Sequence, residues 1–91
     1  MQVCILDGRE LESKSGIHEV LADTLDFPAW YGGNLDALYD CLTDMREETE
    51  IRILHIREME EKFGGYAGCL LKAVRTAARD NPLIHWKMEE S

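Results

Sequence analysis

The stretch from Thr49 to Ile56, TEIRILHI, is apolar on both faces and constrains the fold more than any other part of the chain. Alternate side chains of an extended chain point to opposite faces, so Ile51 and Ile53 share one face and Leu54 lies on the other. A strand that is apolar on both faces belongs in the middle of a sheet or under a covering layer. We therefore predict a central strand here, and we include His55 in it.

Two further apolar runs, Gln2–Leu6 and Leu83–Met88, predict strands near the two ends of the chain. Between the first two strands, helical spacing predicts a helix capped by Ser13 or Ser15 that carries Ile17, Val20, Leu21 and Leu25, and a second helix after Asn34. Between the last two strands, we predict one or two helical turns at Arg57–Lys62 that end at Gly64-Gly65. A longer helix at Tyr66–Asp80 follows and ends at Asn81-Pro82. Strands that alternate with helices predict an α/β fold, with a small three-stranded parallel sheet and helices packed against it. If the strand order is sequential, right-handed crossovers place all helices on one side.

The length of the chain, 91 residues, allows one hydrophobic core, and we expect a single domain over residues 1–91. A composition of 45% hydrophobic and 31% charged residues is typical of a globular protein. No stretch approaches the roughly 18 apolar residues that span a membrane. The first ten residues also lack the basic region and apolar core of a signal peptide. We therefore expect a cytoplasmic protein that binds no membrane.

The cysteines and histidines predict neither a disulfide framework nor a metal site. The chain has three widely spaced cysteines without a CxxC pair, Cys4, Cys41 and Cys69. That usage favours a reducing compartment. The three histidines, His18, His55 and His85, have no metal-ligand spacing with one another or with the cysteines. We expect packed or surface imidazoles at His55 and His85, and no cofactor.

The net charge of −8 limits the classes of partner. A surface this acidic repels phosphate backbones, so direct nucleic-acid binding is disfavoured. The charge suits a basic protein partner, because opposite charge speeds association. The alternative is that the acidity only keeps the protein soluble, and charge alone does not exclude it.

The segment from Phe27 to Glu50 joins an aromatic loop to a short helix with two different faces. Pro28 and Gly32-Gly33 punctuate the loop, and Asn34 suits the N-cap of the helix. An apolar stripe at i, i+3 and i+7, which we expect in the core, is formed by Leu35, Leu38 and Leu42. An acidic stripe at i, i+4 and i+8 is formed by Asp36, Asp40 and Asp44. Like charges at this spacing destabilise a helix by roughly 0.2–0.5 kcal/mol per pair, so either a binding role or a merely solvated face explains them better than helix stability.

The segment from Trp30 to Thr43, WYGGNLDALYDCLT, resembles the barstar family of intracellular ribonuclease inhibitors, whose prototype inhibits barnase. The pattern YG-x-NLDAL-x-DCLT is long, contiguous and specific, and a weaker resemblance extends across nearly the whole chain. It implies a three-stranded parallel sheet with helices packed against it, in agreement with the periodicity. Cys41, next to Leu42 in this helix, is expected to be a buried and unreactive thiol.

The resemblance also implies a way of acting, in which this helix and its preceding loop enter the active site of a nuclease. Asp40 then takes the place of a substrate phosphate, and Asp36 pairs with a basic group at the rim. The aromatic and glycine residues of the loop close over the catalytic residues of the enzyme, and Tyr39 packs beside them. The implied partner-binding residues are Trp30, Tyr31, Gly32, Gly33, Asn34, Asp36, Tyr39, Asp40, Thr43 and Asp44.

The chain departs from the family prototype at the edge of this surface. Trp30 and Tyr39 stand where the prototype has tyrosine and tryptophan, respectively. Asp44 and Met45 replace a glycine and a tryptophan, and Thr76 stands where a contacting glutamate is expected. These differences leave the central carboxylates in place, so they concern the identity of the partner more than the mode of binding.

Three hypotheses for the function follow. The first is an inhibitor of a small basic, barnase-like ribonuclease, monomeric when free and bound one-to-one. The second is a non-enzymatic regulatory module that uses the same acidic surface for another basic protein. The third is an enzyme with Asp36 and Asp40 as a carboxylate pair. We predict no enzymatic activity, because the sequence places no histidine, lysine or nucleophile near these aspartates and a convex helix forms a poor groove.

Overall fold

The computed structural model of the chain describes residues 1–89 and contains one parallel sheet in that range. Its strands are β1 (Gln2–Asp7), β2 (Thr49–Leu54) and β3 (Ile84–Glu89), in the order β1-β2-β3. The register places Ile51 of β2 between Cys4 of β1 and Trp86 of β3. The strand that is apolar on both faces is therefore the central one, as predicted.

Four helices within residues 1–89 connect these strands, namely α1 (Lys14–Leu25), α2 (Leu35–Thr43), α3 (Ile56–Phe63) and α4 (Gly65–Asp80). Helices α1 and α4 pack against the sheet, and α2 and α3 pack against α4, so that one helical layer covers one face of the sheet. Cys4 and Leu6 on that face of β1 are fully buried, whereas Val3 and Ile5 between them are exposed on the open face. The α/β fold with helices on one side of a three-stranded parallel sheet is confirmed.

The position of α2 in this layer determines what the helix can present to solvent. Helix α1 contacts β1 and α4 contacts β3, whereas α2 packs mainly against α4. Leu38 and Leu42 of α2 are fully buried in the common core, together with Leu70 and Val74 of α4. The opposite face of α2 is therefore exposed, while the helix itself is anchored in the core.

Side-chain caps define where the first two helices begin. The Ser13 hydroxyl accepts a hydrogen bond from the backbone N–H of Gly16 at 3.0 Å, so Ser13 rather than Ser15 caps α1. The Asn34 side chain accepts from the N–H of Ala37 at 2.8 Å and caps α2, as predicted.

The prediction that His55 belongs to the central strand is wrong. β2 ends at Leu54, and His55 adopts a left-handed conformation with φ of 53° that turns the chain into α3. This turn packs tightly against the end of β1, because a Cβ added to Gly8 would lie 2.3 Å from the carbonyl oxygen of His55. The periodicity of the side chains did not reveal this turn, because the turn depends on a contact with a distant part of the chain. Gly8 lacks a Cβ and therefore lets the backbone at His55 approach closely.

The expectation that Leu35 lies in the core is also too strong. Leu35 is half-buried and packs against the edge of the core, since it occupies the first turn of α2 beside an open groove. His18 and Tyr66 line the same groove. The other two leucines of the stripe are fully buried, as expected.

Candidate protein-binding surface

The acidic stripe of α2 faces solvent. Asp36, Asp40 and Asp44 are all exposed, opposite the buried Leu38 and Leu42. Within residues 1–89, the carboxylates of Asp36 and Asp40 have no hydrogen bond or ion pair. The helix therefore holds charged groups in fixed positions while leaving their oxygens free for a visiting cation.

The two aromatic residues of the loop before α2 have different environments. We call residues 27–33 the aromatic loop. Trp30 is 71% exposed, whereas Tyr31 is half-buried and packs against Phe27 with ring centroids 4.8 Å apart. Burial raises the pKa of Tyr31, so its hydroxyl remains protonated. Tyr31 thus attaches the loop to the protein, and Trp30 remains available to a partner.

His18 of α1 forms a hydrogen bond with Tyr31 on the buried side of the loop. The Nδ1 atom of His18 lies 2.5 Å from the Tyr31 hydroxyl, and Nε2 is hydrogen-bonded to the hydroxyl of Tyr66 in α4. Burial lowers the pKa of His18, which favours the neutral ring. A neutral imidazole donates through one nitrogen and accepts through the other, so the two tyrosines satisfy both.

Our sequence reasoning gave His18 and Tyr66 no role at this surface. A signal for His18 was present, because it shares the buried helical face of Leu21 and Leu25 at i, i+3 and i+7. Tyr66 had a similar signal, because it lies four and eight residues before the buried Leu70 and Val74 of the same helix.

The N-terminal end of α2 carries the remaining loop residues of the predicted surface. Gly32, Gly33 and Asn34 are exposed, and Gly33 has a positive φ of 67°, which favours glycine. Asp36 lies in the first turn, where the helix dipole favours a negative charge by about 0.3–1 kcal/mol. The structure thus brings this carboxylate beside the aromatic loop.

Tyr39 joins α2 to the end of α4. Its hydroxyl donates a hydrogen bond to the carboxylate of Asp80, which also pairs with Arg79 at 3.0 Å. The hydrogen bond from Arg79, followed by that from Tyr39, lowers the pKa of Asp80. Asp80 is therefore a further ionised carboxylate next to α2. Our sequence reasoning missed it, since 41 residues separate it from Tyr39.

The C-terminal end of α2 is held by the buried side chain of Asn81. Its Nδ2 atom lies 3.0 Å from the carbonyl oxygen of Leu42, 3.3 Å from that of Thr43 and 3.1 Å from that of Met45. The carbonyls of Leu42 and Thr43 belong to the last turn of α2, where helix carbonyls lack their usual partners one turn further on, and the carbonyl of Met45 lies just beyond the helix. The sequence indicated only that Asn81-Pro82 stops α4, whereas Asn81 also stabilises the helix that carries the carboxylates.

Thr43 and Asp44 complete the predicted surface at this end. The hydroxyl of Thr43 donates to the carbonyl oxygen of Tyr39 at 2.9 Å, so it is engaged within the helix. Asp44 is the exposed C-cap of α2. Its carboxylate has no hydrogen bond or ion pair within residues 1–89, as for Asp36 and Asp40.

A notch of about 160 Å³ separates the aromatic loop from the C-terminal end of α2. Its lining includes Leu25, Asp26, Phe27, Trp30, Asp44 and Met45. Cys41 forms part of the floor and is only 6% exposed. Burial, followed by the carboxylates of Asp44 and Asp40, raises the pKa of the Cys41 thiol. Cys41 is therefore a buried neutral thiol, as the sequence predicted.

Among residues 1–89, no group of three or more histidine, cysteine, aspartate or glutamate side chains is arranged to hold a metal ion. No helix in the same range is long and apolar enough to cross a membrane. What the surface presents is a set of fixed carboxylates, an exposed indole and an apolar notch.

Comparisons with known proteins identify the family of the chain. The chain matches the family described as Barstar (barnase inhibitor) over residues 1–88. It is also 40% identical over 81 residues to the "Putative ribonuclease inhibitor YrdF" of Bacillus subtilis (strain 168). That alignment covers 88% of this chain and 89% of the relative. The chain belongs to the barstar family, which is a family of inhibitors rather than enzymes.

Proposed function

We propose that this protein inhibits a small basic, barnase-like ribonuclease by placing α2 and the aromatic loop in its active site. The observation that carries the proposal is the state of Asp40, which is exposed, without a partner within residues 1–89, and held on a leucine-anchored helix. Family membership and the name of the Bacillus relative support inhibition of a ribonuclease.

The physical basis of this proposal is that the carboxylate of Asp40 takes the place of the substrate phosphate in the active site of the nuclease. An active site that binds a phosphodiester contains cationic groups that lack a partner until substrate arrives. A carboxylate in a fixed position satisfies them without chemistry by the inhibitor. Because Leu38 and Leu42 already hold α2 in the core, binding costs little additional ordering of the backbone.

The residues around Asp40 have separate roles in this proposal. Asp36 pairs with a basic group at the rim, and Asp80, linked to Tyr39, adds a carboxylate at the α4 side. Trp30 supplies apolar contact, since most of its side chain is exposed. The backbone from Gly32 to Asn34 closes over the catalytic residues of the nuclease. We further propose a monomer that acts inside the cell and forms a one-to-one complex.

The experiment that tests the function is capture of proteins from the source cell, followed by a ribonuclease assay. We expect a small basic ribonuclease to be retained, and its activity to disappear near one equivalent of inhibitor. Asp40→Asn should weaken inhibition by about 100-fold or more, because it leaves buried cations of the enzyme unpaired. The matched control is Glu61→Gln, which removes the same charge from an exposed position in α3.

Two outcomes would contradict the proposal. If the retained basic protein has no ribonuclease activity, the chain is a regulatory module that uses the same surface for a different partner. If Asp40→Asn and Glu61→Gln weaken inhibition equally, Asp40 has no local role and only the net charge matters.

A further inference from the structure

The notch beside Trp30 has the size of one side chain. Its volume is about 160 Å³, and a cavity of about 150 Å³ holds one benzene molecule. The floor is apolar, with Leu25 only 4% exposed and Cys41 only 6% exposed. Space of this size and shape suits a single inserted group rather than a peptide segment.

Two carboxylates at the rim define the charge of that group. Asp26 and Asp44 line the notch from the end of α1 and the end of α2, and both residues are exposed. Neither carboxylate has a hydrogen bond or ion pair within residues 1–89. An anionic visitor is excluded by this pair, and a purely apolar one would leave both carboxylates without a partner.

The aromatic rings in the notch favour one type of cationic side chain over the other. Trp30 and Phe27 line the same notch. A guanidinium group is planar, stacks on aromatic faces and pairs with carboxylates through a fork of N–H donors. The ammonium group of lysine is more strongly hydrated and lacks this planar surface. The lining therefore favours arginine.

We propose that the notch receives an arginine side chain of the ribonuclease, with its aliphatic stem on the apolar floor and its guanidinium between Trp30 and the carboxylates of Asp26 and Asp44. This inference rests on the proposed function, because Asp44 ends the helix that would enter the enzyme. It extends the interface beyond α2 to the end of α1, and it assigns a specificity role to Asp26, which the sequence did not single out.

The first test needs no nuclease. N-acetyl-arginine methylamide is titrated into the protein while the indole N–H resonances are followed by NMR. We expect a saturable shift at Trp30 and none at Trp86, whose ring lies in β3 under the guanidinium of Arg75 at 5.8 Å. N-acetyl-norleucine methylamide should leave Trp30 unshifted. Lack of a saturable Trp30 shift, an equal response to norleucine, or a response unchanged in Asp26→Asn would overturn the proposal.

The second test uses the captured ribonuclease. Asp26→Asn keeps a residue that tolerates the left-handed φ of 53°, so the fold is preserved. We expect it to dissociate about tenfold faster than the wild type, from the loss of one charge-assisted hydrogen bond. Asp23→Asn, one turn earlier and exposed, should dissociate at the wild-type rate. If Asp40→Asn weakens inhibition as expected while Asp26→Asn dissociates at the same rate as Asp23→Asn, the notch inference fails and the proposed function stands.

Discussion

The Nδ1 atom of His18 lies 2.5 Å from the hydroxyl oxygen of Tyr31, and this contact connects α1 to the aromatic loop. The other ring nitrogen is bonded to Tyr66, so one buried imidazole joins α1, the loop and α4. The hydrogen bond with His18 therefore anchors the loop on its buried side, and the exposed Trp30 is part of this anchored loop. A binding surface that is already in place loses less entropy when a partner arrives.

The pH dependence of stability should reveal the buried state of His18. Because its pKa is lowered in the folded protein, the unfolded chain binds a proton that the folded chain does not. The stability linked to His18 is therefore complete above about pH 6.5 and is lost as the pH falls below that value. Urea unfolding at several pH values should show that the free energy of unfolding falls more steeply at low pH for the wild type than for His18→Gln. The carboxylates contribute equally to both proteins, so the difference between the two curves reports His18 alone. Parallel curves would contradict a buried neutral imidazole.

Removing the hydroxyl of Tyr31 should destabilise the protein. Tyr31→Phe leaves the Nδ1 atom of the buried His18 without its partner, at a cost of about 1–3 kcal/mol. Trp30→Ala is the matched change in the same loop, and we expect it to alter stability by less than about 0.5 kcal/mol because Trp30 is largely exposed. Urea unfolding measures both. A larger loss of stability for Trp30→Ala than for Tyr31→Phe would contradict the role of Tyr31 in attaching the loop.

Asn81→Ala should destabilise the protein by about 1–3 kcal/mol, because the carbonyls at the end of α2 lose their buried donor. Asn81→Asp should be worse, since it places a carboxylate against carbonyl oxygens at the negative end of a helix. Thermal unfolding of both variants tests the order. An Asn81→Asp variant as stable as the wild type would show that the donor has no role.

Salt should separate the roles of Asp36 and Asp40 in the complex with the captured ribonuclease. We expect association to slow as ionic strength rises, because screening acts over roughly 8–10 Å. Asp36→Asn should lower mainly the association rate, as a rim charge does, whereas Asp40→Asn should raise mainly the dissociation rate. Stopped-flow mixing at two salt concentrations distinguishes them. Identical kinetic signatures for the two variants would contradict the assignment of rim and centre.

Alkylation should distinguish the three thiols of the native protein. Cys69 is exposed in α4, whereas Cys4 and Cys41 are buried. Burial raises the pKa of Cys4 to about 11 and also raises that of Cys41, so neither supplies a thiolate near neutral pH. Iodoacetamide should label Cys69 alone in the folded protein and all three in urea, as read by mass spectrometry. Early labelling of Cys41 would indicate that the notch opens.

The features that can be predicted from the sequence alone depend on neighbours along the chain. The stripe of Leu38 and Leu42 and the stripe of Asp36 and Asp40 follow from helical spacing, which is a local property. The cap at Asn34 has its partner three residues away. The alternation of strands and helices limited the fold to a parallel sheet, and the motif around these stripes indicated the family.

The surroundings of that helix depend on tertiary packing. Tyr39 meets Asp80, His18 meets Tyr66, and Asn81 reaches Leu42 across separations of 41, 48 and 39 residues. Side-chain pairing at such distances depends on how elements pack, which periodicity does not encode. The notch arises in the same way, because the ends of α1 and α2 meet only after both helices have packed onto one core.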